Sequence, residues 1–353
     1  MTEPDLLALT AELVDIPSVS LDEGAITDHL EAALRELPHV GVERIGANLV
    51  ARTALGLDHR VVLAGHTDTV PADGNERARV DGDVLWGLGA ADMKGGLAVM
   101  LALARTLPDP AVDVTWVFYA GEEVASEHNG LALLVRDRPD LVAGDVAILG
   151  EPTGAEIEAG CQGTLRVDVR LRGVRAHSAR PWMGRNAVHR LGAVLRTIEA
   201  VPERRPVIDG CEFREALQAV AVSGGVAGNV VPDLATLTLN RRFAPDRTVG
   251  EAEAELRALL APHLEDGDEV EVVDAAPAAA PGLGHPVLRR LIDEHKLEVR
   301  AKLGWTDVAR FTQLGIPACN LGPGDATLAH AADERVDRAS LDRTYAVLRA
   351  LLS

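Results

Sequence analysis

This sequence of 353 residues contains few cysteines and few lysines, and its net charge is negative. The three cysteines, Cys161, Cys211 and Cys319, are odd in number and far apart, and no Cys-x-x-Cys pair occurs. This pattern argues against a disulfide framework and a thiolate zinc site, and it favours reduced thiols in a cytoplasm. The formal net charge of -19 argues against nucleic acid or an anionic membrane surface as a partner.

Signals for secretion and for membrane insertion are also missing. The first residues include the acidic Glu3, Asp5, Glu12 and Asp15, whereas a signal peptide begins with a basic region and an apolar core. No run reaches the roughly 18 apolar residues that a membrane helix needs. We therefore expect a cytoplasmic protein that binds neither nucleic acid nor membrane.

The first part of the chain alternates predicted strands with predicted helices. Apolar runs at residues 61–64, 112–119 and 145–149 predict buried strands, and residues 94–107 predict a helix. Strands that alternate with helices are typical of an α/β fold with a mostly parallel sheet. The chain length suits about two domains, so we expect a second domain beyond this one.

The pattern changes after residue 160. Residues 164–173 alternate apolar and charged side chains, as a strand with one buried face does. The predicted elements that follow are a helix at 184–200, strands at 218–223 and 234–242, a helix at 248–264 and a strand at 269–274. This βαββαβ order predicts a ferredoxin-like α+β domain. We therefore predict one α/β domain from residues 1–160 and 281–353, with residues 161–280 inserted into it.

Residue types that ligate metals recur just after the predicted strands of the α/β domain. They form an ordered series: His66 and Asp68, Asp92, Glu122 and Glu123, Glu151, and His330. In an open α/β sheet, the loops at the carboxyl ends of the strands line one crevice. Two histidines and three carboxylates that converge there suit a pair of divalent cations such as zinc.

The local sequence supports a metal-binding role for these residues but leaves alternative roles open. A lone histidine is usually a capping or core residue, but Asp68 follows His66 by two positions, and a ligating histidine usually gives its second N–H to a carboxylate. Glu122 and Glu123 repel each other and need a cation, unless they form a solvated acidic turn. Neighbours on extended backbone point opposite ways, so one can ligate while the other faces a bound water. Asp92 could bridge two cations or cap the following helix.

Together these segments resemble the di-zinc aminoacylase and carboxypeptidase family, which includes acetylornithine deacetylase, carboxypeptidase G and succinyl-diaminopimelate desuccinylase. The resemblance covers the whole chain in order, including the inserted domain. It implies an amide hydrolase of small N-acyl amino acids that uses two divalent ions, zinc by expectation and cobalt as the alternative. It also implies that the inserted domain is a lid through which the protein forms a homodimer, and that the Asp92–Met93 peptide bond is cis.

The resemblance assigns a role to each residue of the series. The implied metal ligands are His66 and Glu151 for one ion, Glu123 and His330 for the other, and Asp92 as the bridge between them. It further implies that Glu122 is the general base and that Asp68 orients His66.

In the lid, the resemblance implies that His177 stabilises the tetrahedral oxyanion, often from the partner subunit of a dimer. Asn229 in Gly-Asn-Val-Val-Pro and Arg242 in Asn-Arg-Arg-Phe match substrate-contact positions of the family. The Gly-Trp-Thr-Asp segment matches a substrate loop, which adds Gly304 and Thr306 to the expected substrate contacts. From the residue pattern alone, Arg242 would instead be a surface residue of a strand.

The chain length and the segment Gly-Trp-Thr-Asp-Val-Ala-Arg-Phe look most like the desuccinylase branch of high-GC bacteria. This likeness implies hydrolysis of N-succinyl-LL-2,6-diaminopimelate to succinate and LL-2,6-diaminopimelate, a step of lysine and diaminopimelate biosynthesis. Trp305 and Cys161 depart from residues of several desuccinylases, which leaves an acetylornithine-type deacetylase or an amino-acid-releasing metallocarboxypeptidase as the alternative. A non-catalytic metal-binding protein is a further alternative, against which the intact Glu122 argues.

Overall fold

A computed structural model describes residues 4–353 of the chain. Its α-helices, α1 to α10 in chain order, are Leu6–Val14, Gly24–Arg35, Gly95–Thr106, Gly130–Asp137, Pro139–Val142, Ala187–Glu199, Val249–Leu260, Pro286–His295, Val308–Gln313 and Arg338–Leu352. Its strands, β1 to β19, are Gly41–Ile45, Asn48–Arg52, Arg60–His66, Arg79–Asp81, Val84–Trp86, Asp113–Tyr119, Val146–Leu149, Ile157–Ala159, Gly163–Arg172, Ala176–His177, Val207–Ile208, Cys211–Glu212, Ala216–Gly224, Val230–Val231, Leu234–Phe243, Glu269–Ala276, Val299–Ala301, Ala318–Asn320 and Arg335–Asp337.

The chain divides into two compact units. The first consists of the residues up to Gly160 together with Pro281–Arg300 and Asp307–Ser353, and the second of Cys161–Ala280 together with Ala301–Thr306. The sequence had placed residues 301–306 with the rest of 281–353. They pack with the second unit because the Gln162 N–H donates to the carbonyl of Lys302 and the Trp305 indole N–H donates to the carbonyl of Pro277.

The first unit is built on an eight-stranded sheet in the order β1-β2-β6-β3-β7-β18-β8-β17. Its central strands β6, β3, β7 and β18 run parallel, and antiparallel neighbours β2 and β8 flank them. Every residue of β6 and β7 is buried, as expected of parallel strands that are covered on both faces. The predicted α/β class with a mostly parallel central sheet is confirmed.

Helix α3 is the central helix of this unit and determines where Asp92 lies. Its first ten residues, Gly-Gly-Leu-Ala-Val-Met-Leu-Ala-Leu-Ala, are all buried, so this part of the helix packs on all sides rather than along one stripe. An irregular helical turn, Ala90–Lys94, precedes it, and Asp92 lies within that turn. Within residues 4–353, no helix combines the length and the apolar character needed to cross a membrane.

The second unit contains an antiparallel four-stranded sheet in the order β13-β15-β9-β16. Taken by their order along the chain, β9, β13, β15 and β16 lie in the spatial order 2-3-1-4, which is the ferredoxin-like arrangement, and the predicted βαββαβ order is confirmed. Inward side chains of β9 and β15 form a core with α6 and α7. The other face of the sheet is polar, which explains the period-two alternation along β9.

Candidate metal centre

Three neighbouring parallel strands end at one edge of the first unit's sheet. Strand β3 ends at His66, β6 ends at Tyr119 and β7 ends at Leu149. The loops that follow β6 and β7 therefore carry Glu122, Glu123 and Glu151 to the edge where His66 lies. The structure thus brings these predicted residues together at the carboxyl ends of the strands, as in other open α/β sheets.

Three groups of side chains have nitrogen and carboxylate oxygen atoms within 4.8 Å of one another. The groups are His66, Asp92 and Glu151; Asp92, Glu123 and His330; and His66, Glu122 and Glu123. The first two groups share Asp92 and contain all five residues expected to ligate. The third group shares His66 with the first and Glu123 with the second, so Glu122 lies beside both of them.

Asp92 turns its two carboxylate oxygens toward different histidines. The Oδ1 atom lies 3.1 Å from Nε2 of His66, and Oδ2 lies 3.7 Å from Nε2 of His330. The Asp92–Met93 peptide bond is cis, as expected from the family resemblance. Asp92 is not the cap of α3, because Lys94 is the residue that directly precedes that helix.

Glu334 holds the turn that carries Asp92, and sequence reasoning missed it. Its buried carboxylate accepts the backbone N–H groups of Gly89, Ala91 and Asp92, each at 2.9 Å. Burial raises the pKa of Glu334, whereas the three N–H groups oppose this shift. Glu334 lies four residues after His330, so it ties the two ligand-bearing loops together. No local motif marks this role, although the acidic residue so close to His330 was the available signal.

Asp68 makes more hydrogen bonds than the sequence suggested. The nearest acceptor for Nδ1 of His66 is the backbone carbonyl of Asp68 at 3.0 Å, while the Asp68 carboxylate lies at 3.5 Å. That carboxylate accepts the backbone N–H groups of Glu122 and Glu123, each at 3.0 Å, and the hydroxyl of Ser20 at 2.7 Å. Asp68 therefore positions the paired glutamates as well as the histidine.

Substituting Asp68→Asn should lower metal affinity or activity by about 10- to 100-fold, the usual scale for a residue that supports a ligand. The reason is that one carboxamide position is an NH2 group, which cannot accept the N–H of Glu122 or Glu123. Metal titration and steady-state rates measure the effect. Ser20→Ala is the matched control, because it removes one donor and leaves the carboxylate in place. An Asp68→Asn protein with unchanged affinity and rate would show that the loop holds without this carboxylate.

The charges of the centre depend on one another. Burial alone would lower the pKa of His66, but the Asp68 and Asp92 carboxylates outweigh burial and hold this pKa well above its usual value. Burial raises the pKa of Glu122 well above its usual value; His66 opposes this shift, and the nearby charges of Glu151, Asp307 and Glu123 add to it. Glu122 and these three carboxylates thus crowd negative charge at one point, which a cation would relieve.

His330 reaches the centre from the loop after β18. Its backbone φ is +62°, and its Nε2 atom lies 2.7 Å from Oε1 of Glu123. The contact with Glu123 raises the pKa of this histidine. The same loop approaches the backbone after β7 at Gly322, where a Cβ atom would lie 2.2 Å from the Gly150 carbonyl oxygen. Only glycine allows this approach, which brings the His330 loop beside Glu151.

The residues predicted in the lid fall into two groups within the second unit. His177 pairs with Val230 in the two-stranded antiparallel sheet of β10 and β14, and the carbonyl of the adjacent Asn229 accepts the Ser178 N–H at 2.9 Å. His177 is exposed, and its Nδ1 accepts the N–H of Ala179 at 3.0 Å. His177 and Asn229 therefore form one group.

Arg242, Gly304 and Thr306 form the other group. Arg242 lies near the end of β15, opposite Thr164 of β9. The Cys161 thiol, three residues before Thr164, donates to the Thr306 carbonyl at 3.6 Å. Burial lowers the pKa of Arg242, and the charge of Arg166 adds to this shift, while Asp274 and Cys161 oppose it. The segment that carries Gly304 and Thr306 thus adjoins the end of β9 that faces Arg242.

Comparison with known proteins identifies peptidases and desuccinylases that resemble this chain. Residues 62–353 match Peptidase family M20/M25/M40. A Mycobacterium tuberculosis protein provisionally named succinyl-diaminopimelate desuccinylase DapE is 51% identical over 351 residues, covering 99% of this chain and 98% of that protein. The succinyl-diaminopimelate desuccinylase of Corynebacterium glutamicum is 47% identical over 355 residues, with 99% and 96% covered. A tripeptidase from Staphylococcus aureus shares the fold, with a TM-score of 0.81, 22% identity, and 100% and 98% of the two chains covered.

Proposed function

Because the chain belongs to Peptidase family M20/M25/M40, we propose that it is a metal-dependent amidohydrolase that converts N-succinyl-LL-2,6-diaminopimelate and water to succinate and LL-2,6-diaminopimelate. The observation that carries the hydrolytic part is the pair of ligand groups that share Asp92, with Glu122 beside them. The choice of substrate is based on two relatives of nearly equal length, 51% and 47% identical, that bear the desuccinylase name.

The donor set of the centre suits two divalent cations. His66, Asp92 and Glu151 would hold one, and Asp92, Glu123 and His330 the other, so that Asp92 serves both. Imidazole nitrogens and carboxylate oxygens are ligands that zinc accepts, and the crowding of carboxylates around Glu122 requires positive charge. We infer zinc as the native metal, with cobalt as the alternative. When bound, such a pair lowers the pKa of a water molecule and polarises the scissile carbonyl.

The side chains of the site have separate roles in proton transfer, oxyanion stabilisation and substrate binding. Glu122 takes the proton of the attacking water and returns it to the leaving amine, as a general base that becomes an acid. Asp68 keeps Glu122 in place through the backbone N–H of that residue. His177 donates to the oxyanion that forms at the carbonyl. Arg242, Asn229, Gly304 and Thr306 contact the substrate, and Arg242 binds one of its carboxylates.

A panel of substrates tests this proposal against its alternatives. We expect the metal-loaded protein to hydrolyse N-succinyl-LL-2,6-diaminopimelate with a higher kcat/KM than N-acetylornithine or dipeptides. A chelator should abolish the activity and added zinc should restore it, which a non-catalytic metal-binding protein would not show. A preference for N-acetylornithine would identify a deacetylase, and a preference for dipeptides a peptidase.

The second unit supports a homodimer in which two copies complete each site. The two groups of predicted lid residues lie at opposite ends of β9: Arg242 faces Thr164, whereas His177 follows Arg172 by five residues. Thr164 and Arg172 are roughly 25 Å apart at the usual rise of a strand. One small substrate is too short to contact both groups of a single copy across this distance. A site that uses Arg242 and His177 together would therefore take them from different copies.

Strand β13 offers the surface for this dimer. It is an edge strand of the four-stranded sheet, and Val220 and Val222 on it and Val226 just after it are each more than half exposed. Apolar side chains on an unpaired edge favour pairing with another strand. We infer that β13 of one copy lies against β13 of the second copy.

Mixing two inactive variants tests the shared site. His177→Ala should lower kcat by about 10²- to 10³-fold, the scale for loss of an oxyanion donor, and Glu122→Gln should lower it by about two orders of magnitude or more. If His177 acts across the dimer, mixing the two proteins under exchanging conditions should restore activity, because one site of each heterodimer is intact. Exchange of labelled subunits is the control. Demonstrated exchange without recovery of activity would place His177 in its own subunit's site or outside catalysis.

A further inference from the structure

The polar face of the second unit's sheet carries rows of charged side chains on adjacent strands. On β9 the residues that point to this face are Thr164, Arg166, Asp168, Arg170 and Arg172, while the alternate residues Leu165, Val167, Val169 and Leu171 are buried in the core. On β15 the corresponding residues include Asn240 and Arg242. The two strands are antiparallel, with Arg242 opposite Thr164 and Asn240 opposite Arg166.

At the end of this face that is remote from Arg242, the arginines are paired. Arg170 lies 2.6 Å from Glu271 and 3.5 Å from Glu269 of β16, and Arg172 lies 2.9 Å from Glu269. These ion pairs satisfy both guanidinium groups within the protein. The positive charge of this end is therefore already compensated.

The other end has an excess of positive charge. Within residues 4–353, the Arg242 side chain has no hydrogen bond or ion pair, although it is partly buried. Its diagonal neighbour Arg166 has a single acidic contact, Asp274 of β16, at 3.9 Å. Two arginines on one face thus share one distant carboxylate, and like charges at neighbouring positions of a sheet repel. An arrangement of this kind is stabilised by an anion that binds both guanidinium groups or by two anionic groups of one ligand.

The position of this pair relative to the predicted substrate loop supports a ligand role. The Cys161 thiol contacts the Thr306 carbonyl, and the Gln162 N–H donates to the carbonyl of Lys302. Both contacts hold the segment 301–306 against the start of β9, where Thr164 and Arg166 lie. The unpaired end of the polar face and the predicted substrate loop therefore adjoin each other within the second unit.

We propose that Arg166 is a specificity-determining residue that binds a second carboxylate of the substrate beside the one bound by Arg242. This inference rests on the proposed function, in which the substrate carries the succinyl carboxylate and two amino-acid carboxylates. Two arginines about one diagonal step apart on a sheet suit such a ligand better than a substrate with one carboxylate. Arg166 thereby selects for substrates with several carboxylates.

The test compares Arg166→Gln with Arg170→Gln, a control on the same strand and face whose arginine is already paired with Glu271. Wild-type turnover of N-succinyl-LL-2,6-diaminopimelate is measured first, because its absence would overturn the proposed function rather than this inference. We expect Arg166→Gln to raise KM about 10-fold or more, with kcat within about 2-fold of wild type, since a charge-assisted hydrogen bond is lost. Arg166→Lys, which retains the charge, should recover much of that loss.

Two further measurements separate binding from folding. The melting temperature of Arg166→Gln should be at least that of wild type, because removing one of two like charges relieves repulsion. Repeating the kinetics with N-acetyl-LL-2,6-diaminopimelate identifies the carboxylate: a KM effect that disappears assigns Arg166 to the succinyl group, and one that persists assigns it to an amino-acid carboxylate. A KM equal to that of Arg170→Gln, or a rise in KM that comes with a lowered melting temperature, would overturn the proposal.

Discussion

Replacing Glu122 with glutamine should lower kcat by about two orders of magnitude or more while metal content stays at the wild-type level. Glutamine keeps the shape of the side chain but cannot accept the proton of the attacking water. The Glu122 backbone N–H would still donate to Asp68, so the loop should keep its position. Steady-state kinetics and metal analysis of the same preparation measure the two quantities.

Glu127→Gln is the matched control for this substitution. Glu127 lies on the same loop after β6, but its side chain is exposed and lies 3.5 Å from Nε2 of His128. We expect Glu127→Gln to keep wild-type kcat. If Glu122→Gln retained a tenth of the activity, the assignment of Glu122 as the base would be wrong.

The pH profile gives a second readout of the same residue. A general base works only when it is deprotonated, so the rate should fall as pH drops through the pKa of Glu122. Burial raises that pKa above the ordinary value of 4.5, and positive charge from His66 or a bound cation opposes the shift. The acidic limb of the wild-type profile should therefore disappear in the residual activity of Glu122→Gln.

Removal of either histidine of the centre should cost one metal ion. His66 belongs to the group with Glu151, and His330 to the group with Glu123, and Asp92 is common to both. His66→Ala and His330→Ala should each reduce bound zinc from about two equivalents to about one, because a zinc site needs its protein ligands and a catalytic one usually has three. Both variants should also lose most of their activity, since the proposed chemistry needs both ions.

His128→Ala is the control for the histidine variants. His128 also follows β6, but its side chain is nearly half exposed and it belongs to none of the three ligand groups. We expect this variant to bind as much zinc as wild type. Two full equivalents of zinc in both His66→Ala and His330→Ala would overturn the assignment of these ligands.

Several expectations could be drawn from sequence because they depend on neighbours along the chain. The run of buried residues in β6 and the alternation of buried and polar residues along β9 depend on which faces of each strand are covered. Consecutive residues of the sequence show this pattern directly. His66 ends one buried strand, and the segments with Glu122 and Glu151 each come directly after another. Parallel strands end at a common edge, so these three residues could be placed together without knowing any long-range contact.

Tertiary structure decided the contacts that join distant segments. Glu334 accepts the N–H of Asp92 across 242 residues, and the Ser20 hydroxyl reaches Asp68 across 48 residues. Such hydrogen bonds depend on how loops from different strands meet, and no local pattern encodes them. Asp68 was expected to serve His66 alone, whereas its carboxylate also accepts two backbone donors from the loop after β6.

The same distinction applies to the second unit. The sequence by itself determined the βαββαβ order and the polar face of the sheet, since both follow from the periodicity of each strand. It could not determine that Arg170 is paired by Glu271 while Arg166 lies diagonally beside Arg242, because the register between strands decides these contacts. It also grouped residues 301–306 with 281–353, whereas contacts of Lys302, Trp305 and Thr306 with Gln162, Pro277 and Cys161 hold that segment in the second unit.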